Sequence, residues 1–162
     1  MTKIPVKPCP AMPAASGCSN GAIRRAARRM GQVYDDAFAP SGLKGTQYSL
    51  LSQIFRLQGP TMRGLAQELV MDLSALGHTL KPLERDGYLE LTIDATDRRC
   101  RRVNLTDKGV RKYQEARKIW ERVRSAFDDV YGAEEAAQLR AKLDYVASDK
   151  FAAAMLLKLA AE

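Results

Sequence analysis

The densest cluster of charge in this chain is a short run of arginines. Four of them lie in the six residues that begin at Asp97, namely Arg98, Arg99, Arg101 and Arg102. A guanidinium is charged at every physiological pH and is only weakly hydrated, so it suits the phosphates and the narrow minor groove of a nucleic acid. The run is therefore the first candidate for a binding site.

Short alternating sequences flank this arginine run. Apolar and polar residues alternate over residues 89–93 and again over 101–105. Alternation with a period of two predicts half-buried strands, so the two segments form a β-hairpin whose basic tip projects into solvent. Arg101 shares a strand face with Val103 and Leu105, which makes it the arginine expected to fold back against the body of the protein.

Helical patterns precede the hairpin. Apolar residues recur at steps of three and four positions in four segments separated by breaks, which predicts four helices. Side chains that accept a hydrogen bond from a free backbone N–H predict where each helix begins. These are Ser19 or Asn20 for the first helix, then Thr46, Thr61 and Asp72.

Two further helices are predicted after the hairpin. Thr106 caps a long helix that ends at Gly132. It turns Tyr113, Ala116, Trp120, Val123, Phe127 and Val130 inward. A last helix runs from about Glu134 and finishes in residues 151–157, which are apolar on most sides. One small core does not cover such a stretch, which predicts a partner chain.

This order of elements predicts a mainly α-helical fold with a small β-hairpin wing, the winged helix-turn-helix. In that fold the second helix of the pair lies in the major groove of DNA. Here that helix buries Leu73, Leu76, Leu80 and Leu83. We predict a flexible arm over residues 1–19, a DNA-binding domain over 46–106, and a helical dimerisation region from 20–45 and 107–162.

Composition excludes several classes of protein. The net charge is +7, but residues 61–111 carry nine Lys or Arg against eight acids, so the DNA-reading segment is nearly neutral on average. No run of about 18 apolar residues and no signal-peptide core is present, which predicts a cytoplasmic protein without a membrane partner. No nucleophile–base pair, metal cluster or phosphate loop occurs, which predicts that the chain is not an enzyme and takes no metal or cofactor.

The three cysteines, Cys9, Cys18 and Cys100, lack C-x-x-C spacing and predict neither a disulfide framework nor a zinc site. Cys18 precedes a helix N-terminus near arginines, and both features favour the reactive thiolate. With Cys9 on the same arm, a reversible disulfide is possible. A thiol-based redox-sensing regulator is thus the alternative function, and inert thiols on a mobile tail are the simpler interpretation. The sequence assigns no role to Cys100.

Other groups of residues keep alternative interpretations. Four aromatic residues line an effector cavity or are ordinary core residues, namely Tyr34, Tyr48, Tyr113 and Trp120. Four arginines in the first helix form a solvated face, touch DNA beside the main site, or pair with acids such as Asp149 of a partner chain. They are Arg24, Arg25, Arg28 and Arg29.

His78, the only histidine, faces away from the leucine stripe, which favours contact with a base or phosphate over metal binding.

Four motifs resemble the MarR family of bacterial transcription regulators. They are Gly42-Leu43…Gln47…Leu50-Leu51, Leu65-Ala66…Leu69, Leu80-Lys81-Pro82-Leu83-Glu84-Arg85-Asp86-Gly87-Tyr88 and Asp97-Arg98-Arg99…Val103-Asn104-Leu105-Thr106-Asp107-Lys108-Gly109. The resemblance covers roughly residues 22–160. It implies a homodimer that pairs through its first and last helices and binds a pseudo-palindromic operator in double-stranded DNA. It also implies repression that a small molecule, usually aromatic, or oxidation relieves.

The resemblance also assigns roles to residues. It implies that Asp97 orients Arg99 into the minor groove, while Arg98 and Arg102 touch phosphates. The positions that face the major groove are Ser74, Ala75, Gly77 and His78, with Lys81 on the same helix. Gly77 and His78 depart from the family pattern, which has a polar side chain and a base- or phosphate-binding residue there. Pro82 removes a backbone donor and is expected to kink the last turns of this helix.

Overall fold

The computed structural model describes residues 17–161. That part of the chain forms a mainly helical fold with one β-hairpin, which confirms the predicted fold class. The elements are α1 (Ser19–Phe38), α2 (Gly45–Leu57), α3 (Met62–Glu68), α4 (Leu73–Arg85), β1 (Leu89–Ile93), β2 (Arg101–Leu105), α5 (Asp107–Tyr131), α6 (Ala133–Val146) and α7 (Asp149–Leu159). Most of the predicted arm, including Cys9, lies outside the described residues.

The hairpin occupies the two segments that the alternation predicted. β1 and β2 pair antiparallel, with Leu89 opposite Leu105 and Leu91 opposite Val103. Leu89 and Val103 are almost fully buried, whereas Ile93 at the far end of β1 is 64 % exposed. The apolar face of the hairpin therefore leaves the core as the strands run towards the tip.

Three of the predicted helix caps are confirmed. Thr61, Asp72 and Thr106 each accept a hydrogen bond from the backbone N–H three residues further on, at distances of 3.1, 2.7 and 3.1 Å. These caps begin α3, α4 and α5. They satisfy backbone donors that have no partner inside the helix.

The predicted caps of α1 and α2 are wrong. Cys18 Sγ accepts the backbone N–H of Gly21 at 3.4 Å and caps α1 in place of Ser19 or Asn20. Lys44 precedes α2, so Thr46 already lies inside that helix. In α2 it is the side chain of Gln47 that accepts the backbone N–H of Lys44, at 2.8 Å.

One apolar core lies where α1–α5 and the hairpin meet. Its fully buried side chains are Phe38, Leu51, Ile54, Leu65, Leu76, Leu80, Leu83 and Val103. The predicted leucine stripe of α4 is therefore confirmed at three positions. It is wrong at Leu73, which is 47 % exposed because it is the first residue of α4, outside the turns that pack on the core.

The turn between α3 and α4 contains a strained residue. Val70 has a φ of 52°, in the left-handed region of backbone conformation. A β-branched side chain is disfavoured there because its Cβ approaches the following carbonyl oxygen. Val70 is also 71 % exposed, so little packing offsets this strain.

The C-terminal region forms two helices where the sequence predicted one. α6 ends at Val146, and Ser148 Oγ accepts the backbone N–H of Phe151 at 3.2 Å to begin α7. The long α5 buries Tyr113 and Ala116, but its Val130 is 90 % exposed, contrary to the predicted inward position. Large apolar side chains of α7 are also exposed, namely Met155, Leu156, Leu157 and Leu159.

The contact between the start of α5 and the start of the hairpin gives a test of the fold. A Cβ at Gly109 would lie 1.8 Å from the backbone oxygen of Tyr88, whereas a Cβ at Gly77 of α4 would meet nothing within 4 Å. We expect Gly109→Ala to lower the free energy of unfolding by about 3 kcal/mol or more, because two backbone segments must separate. Gly77→Ala, the matched control, should raise it by about 1 kcal/mol. Urea unfolding measures both, and equal effects of the two changes would contradict this contact.

Candidate nucleic-acid interface

The tip of the hairpin is a turn that Asp97 organises. Its Oδ1 accepts the backbone N–H of Arg99 at 2.9 Å, and its backbone oxygen accepts the N–H of Cys100 at 2.9 Å. The thiol of Cys100 donates to Asp97 Oδ2 at 3.4 Å. Both Asp97 and Arg99 are exposed, so this turn presents arginine to solvent on a fixed backbone.

Asp97 contacts the backbone of Arg99. Among the ion pairs of residues 17–161, none joins Asp97 to a guanidinium. The same ion pairs leave Arg98 and Arg99 without an acidic partner, and both side chains are exposed. The Asp97 carboxylate thus holds the backbone of the turn that carries Arg99, and its orienting role on DNA stays a prediction.

The arginine that folds back is Arg102, and the prediction for Arg101 is wrong. The Arg102 guanidinium pairs with Asp94 and donates to the backbone oxygen of Gly59 at 2.8 Å. Arg101 is exposed, because it lies opposite Ile93 where the apolar face has already left the core.

The predicted major-groove residues lie on α4. Ser74, His78 and Lys81 are exposed, and Ala75 and Gly77 are half-buried. Pro82 lies inside the helix, which continues to Arg85. A short turn through Gly87, with a φ of 73°, then leads into β1, so the hairpin follows directly on this helix.

The four arginines of α1 are all exposed. Arg29 donates to Gln32 Oε1 at 3.1 Å, and the ion pairs within the described region involve none of the four. Their three interpretations therefore stay open.

A cleft of about 530 Å³ separates α1, α2 and α5. Of the four aromatics proposed for an effector cavity, Tyr34, Tyr48 and Trp120 line this cleft and Tyr113 does not. Tyr113 instead stacks between Tyr48 and Phe55, with ring centroids 6.0 and 4.6 Å away. Burial raises the pKa of Tyr48 to about 12 and also raises the pKa of Tyr34, so both phenols are uncharged at neutral pH.

Sequence reasoning missed Asp94 and Gly59. Asp94 Oδ1 accepts the backbone N–H groups of Thr96 and Asp97 at 2.8 and 3.0 Å, and the carboxylate is almost fully buried. An aspartate two residues before a threonine at the end of a strand is a turn-forming pattern, and this local signal was available. Nothing in the local sequence indicates Gly59, which lies 43 residues before its partner Arg102.

The two described cysteines differ in their surroundings, which gives a chemical test of the hairpin tip. The hydrogen bond to Asp97, followed by burial and the nearby carboxylate charges, raises the pKa of Cys100. Less thiolate is then present at pH 8, so we expect iodoacetamide to modify the exposed Cys18 faster than the half-buried Cys100. Peptide mass spectrometry over a time course measures both rates. Asp97→Asn should accelerate modification of Cys100 and leave the rate at Cys18 unchanged. Equal rates at the two thiols of the unsubstituted protein would contradict the described turn.

Known proteins resemble this chain in sequence and in structure. The family model described as MarR family matches residues 43–101. The transcriptional regulator MosR of M. tuberculosis, solved in complex with DNA, is 33 % identical with a TM-score of 0.74, over 84 % of this chain and 98 % of that chain. The transcriptional repressor CouR, bound to a 23-mer DNA duplex, is 25 % identical with a TM-score of 0.73, over 81 % of this chain and 93 % of that chain.

A curated relative agrees with these matches. The HTH-type transcriptional regulator TtmR of Methylorubrum extorquens (strain PA1) is 31 % identical over 88 residues, which are 54 % of this chain. The match spans just under half of that relative, at 45 % of its length.

These relatives are transcription regulators. Within residues 17–161, no helix is long and apolar enough to cross a membrane, and no group of three or more His, Cys, Asp or Glu is placed to hold a metal ion. The match at residues 43–101 covers the helix-turn-helix and most of the hairpin, and MosR extends the similarity to nearly the whole described chain. The chain therefore belongs to the MarR family of winged helix-turn-helix transcription regulators.

Proposed function

We propose that this chain is a homodimeric transcriptional repressor that binds a pseudo-palindromic operator and leaves it when a small aromatic effector binds. The observation that carries the DNA-binding part is the hairpin tip. There Arg98 and Arg99 are exposed and without acidic partners in the described part of the chain, on a turn that Asp97 fixes. Arginines held in this way need no large rearrangement to enter a groove.

The relatives support the same role. MosR was solved in complex with DNA, and CouR is a transcriptional repressor bound to a DNA duplex. Both share the architecture of this chain over more than four fifths of its length. We extend DNA binding and repression to this chain on that basis.

Each DNA-facing element has a proposed part. Arg99 enters the minor groove, where a narrow groove concentrates negative potential, and Arg98 contacts a phosphate. We assign the sequence-specific contacts in the major groove to α4. The residues we propose there are Ser74, Ala75, Gly77, His78 and Lys81. With Gly77 adding no side chain, the backbone of α4 can approach the bases closely at that position.

The proposed dimer explains the exposed apolar residues of the C-terminal helices. Val130 is 90 % exposed and Leu157 is 73 % exposed in the single chain. Side chains of this size and number favour an interface with a second copy. We therefore assign residues 20–45 and 107–162 to dimerisation and residues 46–106 to DNA binding.

The cleft between α1, α2 and α5 is the proposed effector site. Of the side chains that line it, only Asp35 carries a charge, and its carboxylate accepts the backbone N–H of Gly45 at 2.9 Å. Aromatic rings beside one carboxylate favour an aromatic ligand that is neutral or positively charged, and they disfavour an aromatic carboxylate. The effector class we propose is therefore an aromatic amine or ammonium compound.

The redox alternative rests on two cysteines, and only one of them is described. Cys18 caps α1 with its exposed Sγ, while Cys9 lies outside the described residues. A disulfide between them stays a prediction. Peroxide treatment followed by mass spectrometry of the intact chain distinguishes it from effector control.

Removal of Arg99 tests the DNA-binding role. We expect Arg99→Ala to weaken binding about tenfold or more, because a groove contact and one cationic interaction are lost together. The probe is a duplex enriched from a random-sequence pool by the unsubstituted protein, and fluorescence anisotropy over a salt series gives both affinity and salt slope. The slope should fall by about one. Titration at high DNA concentration should reach saturation at two chains per duplex.

The matched control is Lys118→Ala, which removes an exposed cation from the middle of α5. It should leave both affinity and slope close to those of the unsubstituted protein. If Arg99→Ala also left both unchanged, Arg99 would not contact DNA. Saturation at one chain per duplex would overturn the proposed dimer.

Ligand-dependent melting tests the effector class. Benzyltrimethylammonium should raise the melting temperature, because a ligand that binds only the folded protein stabilises it by mass action. Benzoate, which has the opposite charge, should have little effect. Asp35→Asn keeps an oxygen that can accept the Gly45 N–H but removes the charge, so it should reduce the shift with the ammonium compound. A larger shift with benzoate would contradict the proposed class.

A further inference from the structure

Asp94 is a buried carboxylate whose partners all belong to the hairpin. It is 4 % exposed, and it accepts hydrogen bonds from the side chain and backbone of Thr96, from the backbone of Asp97, and from Arg102 Nε. The Thr96 hydroxyl, these backbone N–H groups and the Arg102 guanidinium hold the pKa of Asp94 well below its usual range. The carboxylate is therefore ionised at neutral pH and fully hydrogen-bonded.

Arg102 connects this carboxylate to a distant part of the chain. One of its terminal nitrogens donates to the backbone oxygen of Gly59 at 2.8 Å, in the connection between α2 and α3. The next residue of β2, Val103, donates its backbone N–H to the oxygen of Pro60 at 2.9 Å. Thr61, which caps α3, forms an isolated β-bridge with Arg102. The half of the hairpin nearer its tip is thus joined to the connection that begins the helix-turn-helix.

The backbone conformation of this junction favours glycine at position 59. Gly59 has a φ of 79°, and a Cβ there would lie 2.4 Å from Asn104 Oδ1. A planar guanidinium reaches the carboxylate and the carbonyl at the same time because it presents donors in a fixed fork. A lysine ammonium is a single point of charge and does not span both partners in this geometry.

We propose that Arg102 and Asp94 are positioning residues that hold the hairpin at a fixed angle to the helix-turn-helix, and that Arg102 is not a phosphate ligand. The proposal rests on the proposed DNA-binding function, because the angle matters when α4 and the hairpin tip must enter neighbouring grooves together. It also separates the arginines by role. Arg98 and Arg99 face the DNA, while the charge of Arg102 is compensated by Asp94 inside the protein.

Two substitutions separate positioning from phosphate contact, since the two roles predict opposite results. Arg102→Lys keeps a cation that can bind a phosphate but loses the planar set of guanidinium donors that reaches two acceptors at once. Asp94→Asn removes an anion that would compete with phosphate for Arg102. A phosphate ligand would tolerate the first change and gain affinity from the second. A positioning pair loses affinity in both cases, and we expect about a tenfold loss for each with an unchanged salt slope.

Arg98→Gln is the matched control in the same DNA titrations, with the enriched duplex described above. It should lower the salt slope by about one, as a lost phosphate contact does. Tighter binding by Asp94→Asn, or binding by Arg102→Lys that equals the unsubstituted protein, would overturn the positioning role.

Hydrogen exchange of the free protein tests the junction without DNA. Arg102→Lys and Asp94→Asn should each accelerate exchange of the Val103 amide at least about tenfold, since its bond to Pro60 depends on the junction. Arg98→Gln should leave that rate unchanged. Unchanged exchange in both junction variants would overturn the proposal, whatever the DNA titrations gave. If instead no duplex is enriched by the unsubstituted protein, the proposed function fails, and the exchange rates still decide whether the junction holds the hairpin.

Discussion

The apolar contact among α2, α3, α4 and β2 is the interaction on which the rest of the structure depends. Leu51, Leu65, Leu76, Leu83 and Val103 come from these four elements and are each fully buried. Burial of one such side chain contributes roughly 1.5–3 kcal/mol. The same contact holds the helix-turn-helix and the part of the hairpin next to the core. The exposed residues of both elements therefore extend from one packed core.

Polar contacts hold the part of the hairpin that lies beyond this core. The hairpin tip extends beyond the core, where Ile93 is exposed and apolar packing no longer orients the strands. Hydrogen bonds of Asp94 and Asp97 replace that packing at the tip, and the Arg102 guanidinium joins the tip-side half of the hairpin to the connection before α3. The chain therefore uses apolar burial for stability and a few charged groups for geometry.

Local patterns predicted most of the fold because they report local interactions. Alternation located both strands, and the hydroxyl or carboxylate caps located the starts of α3, α4 and α5. The caps of α1 and α2 were missed because a thiol and a glutamine side chain fill those roles. Ser148 did offer a signal for the break before α7, and the helical periodicity on either side of it obscured that signal.

The candidate site was less predictable, because strand parity does not identify long-range partners. The alternation of side chains between strand faces favoured Arg101 as the inward arginine. Arg102 is the arginine with partners instead, and these are Asp94 just after β1 and Gly59 just before α3. Three of the four aromatics do line one cleft, since spacing on helices is informative, but Tyr113 lies in the stack behind it. Contacts between segments far apart in the chain require the folded structure.

The left-handed backbone at Val70 affects how the helix pair moves. A non-glycine residue in this conformation stores about 1–2 kcal/mol, and this energy is released when the turn opens. Opening of the connection between α3 and α4 is therefore easier by the same amount, which corresponds to a population of the opened turn that is larger by a factor of about 5–30. The helix-turn-helix is therefore expected to loosen more often with valine at position 70 than with glycine there, although the buried contacts around the turn are the same.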